Sequence, residues 1–173
     1  MIWIAVCDDN KTESRAAKSL LLSYTARQTD TAFNIIEYNS SAGLLAALKS
    51  GHSFQIYLLD ILMPGRSGID LGREIHASNP SAFIIYLSSS PDYALDAFHV
   101  YAFQYLLKPV TGEKLFPVMD KVLALLKDTD FNCFLLKSKS GTVRLTCSKI
   151  QHVEYLNHQI AVFMEDGSIY TSI

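Results

Sequence analysis

Five short apolar runs, Ile2–Cys7, Phe33–Tyr38, Phe54–Leu59, Phe83–Leu87 and Ala102–Leu107, alternate with longer stretches of mixed polarity. Runs this short and this continuously hydrophobic predict strands buried on both faces. The amphipathic stretches between them predict the crossover helices of a parallel sheet. Ala16, Leu20, Leu21 and Tyr24 recur at helical spacing behind Asn10, and Glu13 three residues on resembles a capping box. Leu44, Leu45 and Leu48 follow the caps Ser40 and Ser41 and mark a second helix. Ile69, Leu71 and Ile75 mark a third, Tyr93, Ala94, Ala97 and Phe98 a fourth, and Leu115, Val118, Val122 and Leu125 a fifth. Pro117 inside that fifth stretch predicts a late start or a kink.

Five βα units in this order predict an α/β fold: a flavodoxin-like, doubly wound (βα)5 parallel sheet over residues 1–127, with its site at the carboxyl ends of the strands. Past Lys127 the pattern changes. Ser140-Gly141, Asn157-His158 and Asp166-Gly167 are turn signals that separate short strand-like runs. Residues 128–173 therefore read as a partial, antiparallel all-β segment. Hairpins of this length make a marginal core alone, and the pattern breaks off at Ile173. The expectation is that the natural protein continues and that this segment is incomplete.

Composition narrows the setting. Of 173 residues, 49% are hydrophobic and 18% charged, which fits a water-soluble globular chain. No apolar stretch approaches the ~20 residues of a membrane-spanning helix. Asp8, Asp9 and Lys11 interrupt the N-terminal run too early for a secretory signal. Cys7, Cys133 and Cys147 are scattered, so neither a disulfide framework nor a zinc pattern is suggested, and a reducing cytoplasm fits best. A net charge of −2 gives no long-range field for nucleic acid. Any such binding must come from a local surface.

The candidate chemistry lies at the ends of the runs. Asp8 and Asp9 close the first, Asp60 the third, Ser88 follows the fourth, and Lys108-Pro109 closes the fifth. Taken singly, each has an ordinary explanation: a capping or turn aspartate, a turn serine, a surface lysine. Taken together, at one edge of one predicted sheet, they describe a pocket for a divalent cation and a phosphoryl group. Crowded carboxylates repel, and Mg²⁺ removes that cost because it takes oxygen ligands and is completed by phosphate. Asp60 then suits the role of nucleophile, Lys108 that of a mobile charge on a phosphoryl oxygen, and Ser88 that of a small hydroxyl donor.

With Asp8-Asp9 after the first strand, DILMPGRSG beginning at Asp60, a hydroxyl at Ser88 and Lys108-Pro109, residues 1–127 resemble the receiver domain of bacterial two-component response regulators. The resemblance implies that Asp60 accepts phosphate from a sensor histidine kinase. It implies Mg²⁺ held directly by Asp9, Asp60 and the main-chain carbonyl of Leu62, with Asp8 acting through water. Ser88 and Tyr105 fall on the positions that couple phosphorylation to an output face, and Lys108-Pro109 on a cis peptide. Leu62 brings no polar side chain to the phosphoryl group, which implies slow self-dephosphorylation. The protein would be a switch rather than an enzyme, forming a homodimer through a face to which Tyr93, Phe98 and Tyr101 could contribute.

The stretch Pro91–Phe98 and the tail KIQHVEYLNHQIAVFMEDGSIYTSI are similar to regulators with a LytTR-type DNA-binding domain. That similarity makes residues 128–173 the N-terminal part of such a domain and puts Asn157 and His158 on a DNA-contacting loop, although NH in a hairpin is also an ordinary turn. Two other readings stand beside this one. The first is a receiver acting only through protein partners, its β segment a dimerisation arm. The second is an aspartyl-phosphate phosphatase, against which stands the nucleophile's place after the third strand, not the first.

Overall fold

The computed structural model describes residues 1–127, 133–138, 141–156 and 159–172. They form two compact units, Met1–Met119 and Asp120–Ile173.

In the first unit, strands β1 (Ile2–Cys7), β2 (Phe33–Tyr38), β3 (Ile56–Asp60), β4 (Phe83–Ser88) and β5 (Gln104–Leu107) make one parallel sheet in the order β2-β1-β3-β4-β5. Helices α1 (Lys11–Thr25), α2 (Ser41–Lys49), α3 (Gly68–Ser78), α4 (Ala94–His99) and α5 (from Gly112) connect and follow the strands. The central strands are sealed on both sides: every residue of β3 is buried, as are Ile4 to Cys7 of β1 and Ile84 to Ser88 of β4. This is the flavodoxin-like order, and the first apolar runs carry it because a strand covered by helices on both faces has no polar alternation to show.

Helix starts follow their capping residues. The Asn10 side chain accepts hydrogen bonds from the Thr12 and Glu13 amides, Ser40 from Gly43, and Ser67 from Asp70. Two helices present faces other than those the sequence suggested. In α1, Ser14, Ala17, Leu21 and Tyr24 face the core, and Ala16 is exposed. Helix α4 is only six residues long, and among them only Ala97 is buried, with Leu95 74% and Phe98 70% exposed. So short a helix cannot bury a full apolar stripe. Ala97 and Val100 do the packing and the larger side chains turn outward.

The late start suggested by Pro117 does not occur. Helix α5 runs Gly112–Lys127 with Pro117 inside it. The carbonyl of Thr111 accepts from the Lys114 and Leu115 amides, so the first turn forms ahead of the proline. Its missing N–H then removes one intrahelical bond, to the Glu113 carbonyl. Leu115, Val118, Met119, Val122 and Leu123 are buried along this helix.

Two glycines of α3 set how closely that helix meets the sheet. A Cβ on Gly68 would lie 2.0 Å from the carbonyl oxygen of Asp60, and one on Gly72 would lie 1.8 Å from the Tyr86 hydroxyl. Both contacts are impossible for any larger residue, so glycine is what allows α3 to lie down on the ends of β3 and β4.

The second unit is antiparallel. Strands β6 (Cys133–Ser138) and β7 (Gly141–Thr146) form one ladder, and β8 (Ile150–Leu156), β9 (Gln159–Met164) and β10 (Ile169–Thr171) form a sheet in the order β10-β9-β8. Leu136, Leu145, Val162 and Met164 make its small buried cluster. The Asp166-Gly167 signal closes the β9–β10 hairpin with Gly167 at φ +83°, and Asp166 accepts from the Ser168 amide and hydroxyl. Among the described residues, no helix is long and apolar enough to cross a membrane.

The Tyr86 hydroxyl is fully buried and has no hydrogen-bond partner among the described residues. Burial holds its ionisation well above the usual tyrosine range. Tyr86→Phe is therefore expected to raise unfolding free energy by about 1 kcal/mol, since it removes an unpaired polar group at almost no cost in shape. Gly72→Ala, which drives a methyl into that ring, is expected to cost ~1–3 kcal/mol. Urea melts with unchanged slope check both, and a loss of stability in Tyr86→Phe would show that the hydroxyl is paired.

Candidate metal and phosphoryl site

The strand order brings the ends of β1, β3, β4 and β5 to one edge, and there Asp8, Asp9, Asp60, Ser88 and Lys108 are found. Asp8 and Asp60 are buried, whereas Asp9 is exposed at the mouth. One carboxylate oxygen from each of the three aspartates lies within 4.8 Å of the others. The Lys108 Nζ donates to Asp8 Oδ2 at 2.8 Å and to Asp60 Oδ1 at 2.7 Å. The remaining Asp8 oxygen accepts from the Asn10 amide at 2.9 Å. Asp60 Oδ2 has no hydrogen-bond partner among the described residues.

The charges do not balance: three carboxylates face one ammonium. Burial pushes the Asp60 carboxyl up, Lys108 pulls it back, and the charges of Asp8 and Asp9 add to the rise. Burial alone would lower the Lys108 ammonium, yet its hydrogen bonds with Asp60 and Asp8 win and hold it above the ordinary lysine range. The Cys7 thiol, next to Asp8 and fully buried, is pushed up to about 12, first by burial and then by the three carboxylates. It donates to the Met63 sulfur and stays a packing group. An all-oxygen donor set with surplus negative charge fits a hard divalent cation of the Mg²⁺ class and does not fit zinc or copper.

Backbone bonds hold the frame. The Lys108 amide donates to the Ser88 carbonyl at 2.8 Å, and the Ile61 amide to the Leu87 carbonyl at 3.3 Å. The Gly68 amide donates to the Ile61 carbonyl at 3.0 Å, tying the start of α3 to the residue after Asp60. The Lys108-Pro109 peptide is cis. Leu62 is exposed, with its side chain offering no polar atom.

A second set of contacts leads away from the pocket. The fully buried Ser88 Oγ accepts from the Ser90 amide at 3.2 Å, and the Tyr105 hydroxyl donates to the Ser90 carbonyl. Ser90 Oγ in turn donates to Asp92 Oδ2 at 2.7 Å and accepts from the Asp92 amide. One peptide segment thus joins Ser88 to Tyr105.

The structure therefore brings together Asp8, Asp9, Asp60 and Lys108, places Ser88 and Tyr105 on either side of Ser90, and leaves Leu62 at the surface beside them. Asn157 and His158 lie outside the described residues. The sequence motifs passed over Ser90 and gave Gly68 no role of its own within DILMPGRSG. The Ser-Ser-Ser-Pro-Asp run was a signal for the first, since hydroxyl-rich turns bond their own backbone. Nothing local signalled the second, because its constraint comes from a distant strand end.

Comparison with known proteins agrees with the geometry. The chain is 29% identical to a response regulator receiver domain protein from Clostridium thermocellum, with a TM-score of 0.62 over 73% of this chain and 98% of that one. It is 26% identical to the response regulator TrrA of Thermotoga maritima, solved with Mg(2+)-BeF, at TM-score 0.56 over 70% and 99% of the two chains. It is also 34% identical over 71 residues to the sensory transduction protein LytR of Staphylococcus epidermidis, covering 41% of this chain and 28% of that protein. The chain spans less than half the length of the first curated relatives it matches. Residues 4–120 match the family model of the response regulator receiver domain, and the chain belongs to that family.

Proposed function

We propose that this chain is the phosphorylation-controlled part of a two-component transcription regulator, with Asp60 as the phosphoacceptor. The observation that carries this reading is the Lys108 bridge to Asp8 and Asp60 across the three-aspartate cluster. It leaves Asp60 Oδ2 free to attack phosphorus and sets an ammonium where a phosphoryl oxygen would arrive. Asp9, Asp60 and the Leu62 carbonyl would hold Mg²⁺, with Asp8 supporting it through water, and the ion would supply positive charge opposite the transferring group. A sensor histidine kinase in the cytoplasm supplies the phosphate. The reaction ends with the modified carboxylate, so the chain is a switch and its hydrolysis is a slow reset.

Ser88 and Tyr105 carry the state of Asp60 outward through the Ser90 segment. Leu95, Phe98, Tyr101 and Leu107 are exposed on and beside α4 and β5, an apolar face suited to a homodimer. Residues 128–173 are the first part of a LytTR-type DNA-binding domain in this reading. Support comes from the antiparallel strands after α5 and from the likeness to LytR and to LytT of Enterococcus faecalis. Asn157 and His158 contact DNA only in the complete domain.

Incubation with acetyl phosphate and Mg²⁺ is expected to add the mass of one phosphate, mapped by peptide analysis to Asp60 and absent from Asp60→Asn. A label on any other residue would remove the assignment. Mg²⁺ at about 100 times its dissociation constant is expected to stabilise the fold by ~2.7 kcal/mol, and Asp9→Asn to abolish most of that gain in a thermal melt. Because Leu62 places no polar group beside the phosphoryl, the modified protein should keep its label for minutes or longer. Leu62→Asn should shorten that lifetime, and decay within seconds in the unsubstituted protein would refute the argument.

A further inference from the structure

The chemistry above leaves one lysine near the pocket unused. Lys114 stands exposed in the first turn of α5, and its Nζ donates to the Leu107 carbonyl at 3.2 Å and to the Pro109 carbonyl at 3.1 Å. Those two carbonyls bracket Lys108. A single ammonium therefore holds the carbonyls of the two residues that flank Lys108, whose own ammonium bridges Asp8 and Asp60.

Helix stability gives no reason for a cation there. The first turn is the positive end of the helix dipole, where a lysine carries a cost and an acid such as Glu113 is favoured. Two solvent-exposed hydrogen bonds to neutral carbonyls do little more than offset that cost. What they do supply is position. Among the described residues, the Lys108 backbone is otherwise held by its amide bond to the Ser88 carbonyl, just past an edge strand four residues long.

We propose that Lys114 is a positioning residue for phosphoryl transfer: it fixes the β5–α5 connection so that the Lys108 ammonium stands ready over Asp60. The inference rests on Asp60 being the phosphoacceptor. In transfer from acetyl phosphate, an Asp60 oxygen forms the new P–O bond while the bond to the acetate oxygen breaks and acetate leaves with the electron pair. Lys108 keeps its protons throughout and stabilises charge on the phosphoryl oxygens. Displacing such a group by about 1 Å slows reactions by up to ~100-fold, so loosening its loop has a measurable effect.

The test compares Lys114→Met and Lys114→Arg with the unsubstituted chain, using acetyl phosphate and Mg²⁺. Lys114→Met is expected to slow labelling of Asp60 about fivefold or more, with melting temperature and Mg²⁺ affinity nearly unchanged. Lys114→Arg, which keeps donors for both carbonyls, restores most of the rate. In a Lys108→Met background, Lys114→Met adds no further loss, because the residue it acts through is gone. Amide exchange across residues 107–110 quickens in Lys114→Met, a readout independent of phosphoryl transfer. An unchanged rate in Lys114→Met would overturn the proposal, as would a loss that persists without Lys108 or an arginine variant as slow as methionine. Failure of the unsubstituted protein to label Asp60 would overturn the phosphoacceptor reading, and this inference with it; amide exchange alone would still report whether Lys114 holds the loop.

Discussion

Surplus negative charge in a largely buried corner is the constraint on which the rest of the site depends. Asp8 and Asp60 are both buried and Asp9 stands beside them, with Lys108 the only ammonium hydrogen-bonded to the cluster among the described residues. Removing charge from water is expensive unless partners replace the lost solvation. Lys108 replaces part of it, its own ionisation raised by those bonds, and the raised Asp60 ionisation records the solvation left unreplaced. A pocket in this condition suits a divalent cation, whose charge would relieve the repulsion among the carboxylates. Stability has been spent on an arrangement that a neutral corner would not need.

The frame that holds those charges is made of backbone, and it comes from the strand order. With β1 and β3 adjacent, Asp8 and Asp60 end side by side. With β4 next on the sheet, the Ser88 carbonyl is in place to take the Lys108 amide. The Gly68 contact with the Asp60 carbonyl closes the third side, since α3 can begin there only without a side chain. Asp8, Asp60 and Ser88 are therefore fixed by main-chain bonds or a close approach, whereas Lys108, past the end of β5, also takes the Lys114 contacts on either side of it.

Much of this was legible in the sequence for a physical reason. A strand buried on both faces is continuously apolar, so β1, β3 and β4 showed themselves, and the polar residue that ends each run marks the carboxyl edge. Asp8, Asp9, Asp60 and Lys108 were readable because they stand at those breaks. The face of α1 was misjudged at Ala16 because alanine fits both core and surface, and Ser14, buried and bonded to Glu37, fills an inward position with a polar group. Phe98, readable from the sequence as either helix packing or an outward contact, turns outward because a six-residue helix has only one inward place, which Ala97 takes. Gly68 and Gly72 depend on what arrives from elsewhere in the chain. No window of sequence contains that information.

The Ser90 segment shows how a small chemical event could leave the pocket on the proposed reading. Ser88 Oγ has one bond in this structure, accepted from the Ser90 amide, and the Ser90 carbonyl holds the Tyr105 hydroxyl. A phosphoryl oxygen on Asp60 offers that serine a charged acceptor, and bonds to charged groups are worth roughly 1.5–3 kcal/mol against about 1 for a neutral pair. Turning Ser88 toward the phosphate thus competes with, and can outbid, its hold on the Ser90 amide. Because the same residue carries the Tyr105 contact on its carbonyl, moving one end of the peptide changes the fit at the other. The Asp92 contacts tether the Ser90 side chain in the present arrangement. A difference of roughly 0.5–2 kcal/mol between two states shifts their ratio by about 2- to 30-fold, enough for an exposed face around Tyr105 to report whether Asp60 is modified.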